Sequence, residues 1–327
     1  MIAYPLPVAI PSTDFRSALL AVIASHDTAQ GRKKPWPQRS AAALKKFLAD
    51  PEAKKLPSVW SEIKPVFVYL QKGKCGFCER LLGQDEVAAY ESDVEHFRPK
   101  KGVTPWPPAT PIGHDPYPAD LPATPGKGAG YRNLPYHELN YMIACKTCNT
   151  RCKGNFFPVA KKHQLTATDP LGLRNLEEPY LIFPLGDLDD DPETLLTFIG
   201  YKAVPARPWS DAYAWNRARI TIAFFLLNDL SREDQLFMER ATRLDVLGNR
   251  IEKFEKSRGK AKRAAAWDDV IAEGAANQAH TNCVRSLIRL YLHDPAEAHR
   301  RIDEARTYRG GKLKLEKWAA QQPNLRP

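Results

Sequence analysis

Cys75-Gly76-Phe77-Cys78 and Cys145-Lys146-Thr147-Cys148 bracket Glu95-His96, and Asn149 follows the second pair directly. A C-x-x-C turn can grip one ion with two thiolates, and two such turns complete the closed tetrahedral set that structural zinc prefers. Cys75, Cys78, Cys145 and Cys148 are therefore expected to hold one Zn2+ that staples the ends of the segment between them. A redox role is disfavoured, because no thioredoxin-like βαβ pattern surrounds either pair. Glu95 and Asn149 offer oxygen to a harder cation, Mg2+ or Mn2+, while the His96 imidazole can handle a proton near neutral pH. One small region thus predicts two metals with different tasks.

Between the pairs, Asp93-Val94-Glu95-His96-Phe97 alternates polar and apolar residues as a short strand does and ends at Pro99. On a strand Glu95 and His96 point to opposite faces, so they serve one site only if the chain bends, for which Phe97-Arg98-Pro99 supplies a cause. Gly102–Gly130 holds eight prolines and five glycines with little periodicity, which predicts a long irregular surface excursion.

The flanks read as helical. Residues 1–72 form an N-terminal segment in which Ser12-Thr13-Asp14 supplies cap chemistry before Phe15–Ile23, followed by Ser40–Leu48 and Val59–Leu70. Residues 73–165 form the motif block with its insert at 102–130, and residues 166–327 a mainly helical C-terminal part for partner docking or nucleic-acid support. In that last part Asp187–Asp191 is expected to be a solvated acidic turn, since it lacks the oxygen spacing and central glycine of a calcium loop. Arg250–Arg263 is strongly basic and reads as a solvated helix face, with a backbone-binding arm as the alternative. Apolar stripes such as Ile220, Ala223, Phe224 and Leu227 are core. The fold class expected is α+β, mainly α.

With 327 residues and 43% apolar content, the chain can bury a core in two or three domains without disulfides. Six cysteines, four of them in the paired set, indicate a reducing compartment and leave Cys152 and Cys283 without a role. Met1–Ile10 has no basic n-region and is broken by Pro5 and Pro7, so no signal peptide is expected. The longest apolar run, Ile220–Leu227, is too short to cross a bilayer. A cytoplasmic protein without membrane attachment is the expectation. The net charge of +10 is uneven: residues 1–165 carry 23 Lys and Arg against 14 Asp and Glu, residues 166–327 carry 25 against 24. A basic surface around a hydrolytic site suits a polyanion and would make its binding salt-dependent.

Val94-Glu95-His96-Phe97-Arg98-Pro99-Lys100, Asn140 five residues before Cys145, and Cys145-x-x-Cys148-Asn149 running into Lys153-Gly154-Asn155-Phe156-Phe157-Pro158 together resemble the HNH endonucleases, whose ββα-metal fold grips a divalent cation with a hairpin and a helix. The wider pattern is most similar to the HNH proteins of bacterial anti-phage systems, such as the Septu and retron-associated nucleases, which an ATPase subunit commonly accompanies. The resemblance covers about residues 73–160. It implies His96 as general base, Glu95 and Asn149 as ligands of the catalytic ion, Asn140 as the residue that braces the loop, and Arg98, Lys100, Arg151 and Lys153 as phosphate-binding residues. Two departures stand out: the His96–Asn140 separation is long, and Cys152 adds one residue before Lys153. The implied substrate is DNA, with RNA also open. A zinc-stabilised nucleic-acid-binding or adaptor protein without catalysis is the reading from another class, and Glu95, His96 and Asn149 discriminate, since pure binding needs none of them. His114 and His137 default to surface or supporting positions, and Trp106 and Tyr131 to loop packing.

Overall fold

In a computed structural model, residues 1–5, 14–50, 57–83 and 90–320 are described. Ser12 and Thr13, and Pro7 with the rest of 6–13, lie outside them. The architecture is α+β and mainly α, with two small two-stranded sheets.

Helix α1, Phe15–Ala29, begins where the Asp14 carboxylate accepts the Ser17 N–H at 2.7 Å, satisfying one of the donors that a helix start leaves open. Its Leu19 and Ile23 are buried. Helix α2, Trp36–Ala49, starts behind Pro35 and buries Trp36, Ala43 and Phe47, while α3, Lys64–Leu70, buries Val66, Phe67 and Leu70. Of these, α3 packs on the first sheet, Trp36 of α2 meets its Tyr141 with ring centroids 6.2 Å apart, and α1 packs on α2 and α3.

That sheet pairs β1, Ser92–His96, antiparallel with β2, Tyr141–Cys145. The register sets Glu95 opposite Met142 and His96 opposite Tyr141. Every residue of β2 is buried, so the pair is covered on both faces. Directly after β2 the chain winds into a π-helical turn, Thr147–Lys153, closed by the Gly154 N–H donating to Asn149 O at 2.8 Å. A π-turn accommodates one residue more than an α-turn, which is how the chain takes up the extra Cys152.

The excursion at 102–130 is irregular, as its composition predicts, but it is tied down. Val103 pairs with Gly128, Thr104 bridges to Phe156, and Val103 and Trp106 are buried. The Trp106 ring lies 5.3 Å from Phe224, so it is packing, and Tyr131 is likewise fully buried. At the base, Gly130 has φ +85°, and a side chain there would meet the backbone of Lys101 and Gly102.

Further on, β3, Leu196–Ile199, and β4, Lys202–Pro205, form a hairpin across Gly200-Tyr201 that the helical reading of this half did not anticipate. Gly200, at φ +56°, supplies the turn backbone that hairpins favour. Helices α4, Ala212–Phe224; α5, Met238–Lys256; α6, Lys260–Glu273; α7, Thr281–His293; and α8, Pro295–Ala320, complete the described chain. No helix among the described residues is long and apolar enough to cross a membrane.

The expected solvated turn at Asp187–Asp191 holds at Asp187 and Asp191, which are exposed, and is corrected at its centre. Asp189 is buried and accepts from Arg174 at 2.9 Å and from the Phe183 N–H at 2.9 Å, and fully buried Arg217 binds both Asp189 and Asp190. The acids neutralise a core arginine, a role no local spacing announces.

One continuous core takes side chains from the N-terminal helices, the motif block and the chain beyond it: Phe97 packs on Phe183, and Phe77 stacks on Phe225 with centroids 3.9 Å apart. The boundary expected at 165/166 therefore runs beside packed side chains. A second core joins Leu244, Leu247 and Ile251 of α5, Val270 of α6, Val284 and Leu287 of α7, and Ile302 of α8. Cys283 belongs to it, its thiol donating to Gly200 O at 3.4 Å.

Candidate active site and metal centre

The two cysteine pairs meet. The Sγ atoms of Cys75, Cys78, Cys145 and Cys148 all lie within 4.8 Å of one another, with Cys78 and Cys145 3.8 Å apart, and all four residues are buried. Thiolates about 2.3 Å from a tetrahedral ion sit at nearly that mutual separation, so the cluster fits zinc. Burial pushes the Cys75 and Cys148 thiols up, which a shared cation would offset.

Local structure builds this cluster from both sides. Gln71, fully buried, receives the Ile143 N–H at 2.6 Å and donates to Ile143 O at 2.9 Å and Lys74 O at 3.1 Å, clamping the first cysteine turn to β2. Gly76 lies close against β2, where a Cβ would displace the end of the Met142 side chain. Around the sulfurs, the Cys148 N–H donates to Cys145 Sγ at 3.5 Å and Arg232 Nη1 to Cys148 Sγ at 3.4 Å. The buried Arg232 guanidinium offsets negative sulfur. Neither Gln71 nor Arg232 was legible in the motif, since their spacing to the cysteines carries no signal.

His96 and Glu95 emerge on opposite faces of β1. His96 Nε2 lies 3.0 Å from Pro135 O. A carbonyl only accepts, so Nε2 carries the hydrogen and Nδ1 is the ring's acceptor. Lys100 Nζ approaches that Nδ1 to 3.5 Å. Burial and then the Lys100 charge hold the His96 pKa well below its usual value, so the ring is neutral. Trp60 and Tyr141 fix the ring edge-on, with centroids 4.8 and 5.1 Å away.

Asn140 is fully buried and stands behind His96. Its Oδ1 accepts the Arg98 N–H at 2.8 Å, and its Nδ2 donates to Arg98 O at 3.0 Å and Leu134 O at 3.3 Å. It thereby joins the exit of β1 to the turn whose next carbonyl, Pro135 O, orients His96 and also accepts the Tyr141 hydroxyl at 2.7 Å.

On the other face, Glu95 is 4% exposed and its carboxylate lies 3.3 Å from the ammonium of Lys153, itself fully buried. Burial raises the Glu95 pKa to about 7 against the pull of Lys153 and Lys100. Both lysines are within electrostatic reach of Glu95 and of His96. Asn149 sits on the π-turn over the same face and donates from Nδ2 to Asp93 Oδ2 at 3.1 Å; Asp93 also takes Lys146 at 2.6 Å. The sequence left Asp93 between orienting His96 and facing solvent. Two residues from Glu95 on a strand, it shares Glu95's face; its side chain is 34% exposed, nearer the solvent-facing alternative, and its hydrogen bonds go to Asn149 and Lys146 rather than His96.

The remaining expected residues diverge. Arg98, 5% exposed, is turned inward onto Glu177 at 2.8 Å, where Tyr131 Oη also donates at 2.6 Å. Its charge is matched within the core. Arg151 is exposed and donates to Ile112 O at 2.9 Å, tying the π-turn to the excursion. His114 faces solvent beside Asp115, and His137 accepts the Leu139 N–H at 3.2 Å. Cys152 is buried beneath the turn it lengthens, and burial pushes its thiol up to about 12.

Over 147 residues the chain is 33% identical to the Septu protein PtuB of Bacillus mycoides (strain KBAB4). The match covers 45% of this chain and 40% of that protein, well under two thirds of its length. No protein-family profile matches the chain. No solved structure matches it.

Proposed function

We propose that this protein is a metal-dependent HNH endonuclease that hydrolyses phosphodiester bonds of DNA, and that it is the nuclease effector of a cytoplasmic anti-phage defence system with an ATPase subunit. The carrying observation is the state of His96: neutral, with Nε2–H committed to Pro135 O and Nδ1 its basic atom, met by the Lys100 ammonium at 3.5 Å, a contact that the water to be activated would replace. Similarity to a Septu protein supports the defence setting. Two antiparallel strands followed by a helical turn, with Glu95-His96 at the end of the first and Asn149 in the turn, support the HNH reading.

In this mechanism His96 Nδ1 takes a proton from the water that attacks phosphorus, the role of a positioned general base. Trp60, Tyr141 and Pro135 O hold the ring so that the proton leaves along one direction, and Asn140 fixes the turn that carries Pro135. Glu95 and Asn149 present the oxygen chemistry that Mg2+ or Mn2+ prefers, and such an ion would supply charge to a nonbridging oxygen and to the leaving 3′-oxygen. Because Glu95 and His96 are the last two residues of β1 and leave it on opposite faces, the phosphate would lie across the strand's end, where Lys100 and Lys153, in electrostatic reach of both, add positive charge. The four-cysteine Zn2+ is structural and sits outside the chemistry.

A second reading, a zinc-stabilised nucleic-acid-binding protein without activity, draws on the burial of Glu95 and His96 and on the Lys153 contact that occupies the carboxylate. Plasmid nicking separates the two. With Mg2+ or Mn2+, alone and with the ATPase subunit, the wild type is expected to nick supercoiled DNA, and His96→Ala to lower the rate by at least about 100-fold, the span of general-base catalysis, while retaining DNA. A wild type inert under all these conditions would leave the binding reading standing.

A further inference from the structure

Helices α5 and α6 form an antiparallel hairpin whose tip the nuclease reading does not use. Residues 250–263 hold seven Lys and Arg against two Glu. The expected single basic segment breaks at Ser257–Gly259, so its cations gather around one turn. Those lower on the hairpin are matched: Arg250 to Glu273 at 3.2 Å, Lys253 to Asp269 at 2.7 Å, Lys256 to Glu252 at 3.7 Å. Arg263 lies over the Phe254 ring at 4.2 Å. At the tip, Arg258, Lys260 and Lys262 are exposed and, among the described residues, meet no carboxylate.

The position of these charges opposes the fold's own interest. Helix α6 starts at Lys260 behind Gly259, which offers no side-chain cap, and its first turn contains no acid. A helix start carries partial positive charge and open N–H donors, so cations there repel it and acids would stabilise it. Lys260, Lys262 and Arg263 all crowd this start. Ala261, Ala264 and Ala265 between and after them are exposed and small, leaving the charged surface open to a broad partner. The second half of the chain is otherwise close to neutral, so the tip concentrates an excess that acids elsewhere offset.

We propose that the α5–α6 tip, through Arg258, Lys260 and Lys262, is a contact for the phosphate backbone of a nucleic acid, separate from the Glu95–His96 region. Helix α5 advances 16 positions from Arg240, which donates to Leu227 O in the first core, to Lys256 near the tip. At 1.5 Å per residue the tip lies about 24 Å along the helix from that anchor. The contact recognises repeating phosphate charge and carries no base specificity. This inference extends the proposed action on DNA, but needs only that nucleic acid binds.

The test uses the full-length chain with duplex DNA and no divalent metal. Arg258→Glu/Lys260→Glu/Lys262→Glu should lower DNA affinity by about tenfold or more and reduce the slope of log K against log salt by about 2.7, near 0.9 for each phosphate no longer neutralised. Acids at a helix start favour the helix, so the variant should melt no lower than wild type, and misfolding cannot imitate the result. An unchanged affinity and salt slope would overturn the inference. So would loss of binding to anionic phospholipid vesicles with DNA binding intact, since the surface would then serve a membrane. Weakened DNA binding together with an uncleaved plasmid would uphold the tip contact while the nuclease reading failed.

Discussion

At the scale of single residues, the distinction that matters is between groups that present chemistry and groups that hold them. Asn140 belongs to the second kind: its three hydrogen bonds are all to backbone, and all are buried. Asn140→Ala would leave the Arg98 N–H and two carbonyls without partners, at a cost of about 3 kcal/mol in urea unfolding. The 134–137 turn would also loosen, so plasmid cleavage should fall even at temperatures where the variant stays folded. Glu95, His96 and Asn149 could be proposed because residues of those types leave a pattern in sequence. Pro135 was not, because its contribution is a backbone carbonyl that every residue possesses. Arg98 shows the reverse error: a cation inside a motif reads as a phosphate ligand until its partner, Glu177, is found 79 positions away.

At the scale of elements, the first short strand was legible from its alternation and its partner only as what the HNH resemblance implied, whereas the π-helical winding and the β3–β4 hairpin were not. Hydrogen bonds from residue i to i+5 leave no periodic signature over seven residues, and a hairpin of two four-residue strands is easily submerged in neighbouring helical patterns. The excursion at 102–130 was correctly read as irregular, but composition does not reveal the close approach at its base. Gly130 makes that approach possible. Gly130→Ala combines a left-handed backbone with a Cβ about 2.5 Å from Gly102 N. A loss of about 2 kcal/mol or more in chemical denaturation is expected, with protease nicking appearing first between 102 and 130.

At the scale of the whole molecule, the four-cysteine cluster joins the segment before β1 to the segment after β2, and the first core is built around it. Zinc analysis of the purified chain should find one ion per molecule, and Cys145→Ser or strong chelation should lower the melting temperature steeply or abolish folding, as structural zinc binding is folding free energy. A metal-free chain melting at the native temperature would refute this role. The general mainly helical architecture could be read from apolar periodicity, but the single core across the motif block and the following helices could not. Contacts such as Phe77 on Phe225 join residues whose separation in sequence has no local trace. The 67 positions between Cys78 and Cys145 also impose an order on biosynthesis. At roughly 5–20 residues per second on the ribosome, the first two sulfurs emerge several seconds before the second two exist. During that interval the nascent chain presents a half-built, exchangeable chelate, so the yield of correctly assembled protein should track free zinc supply during translation.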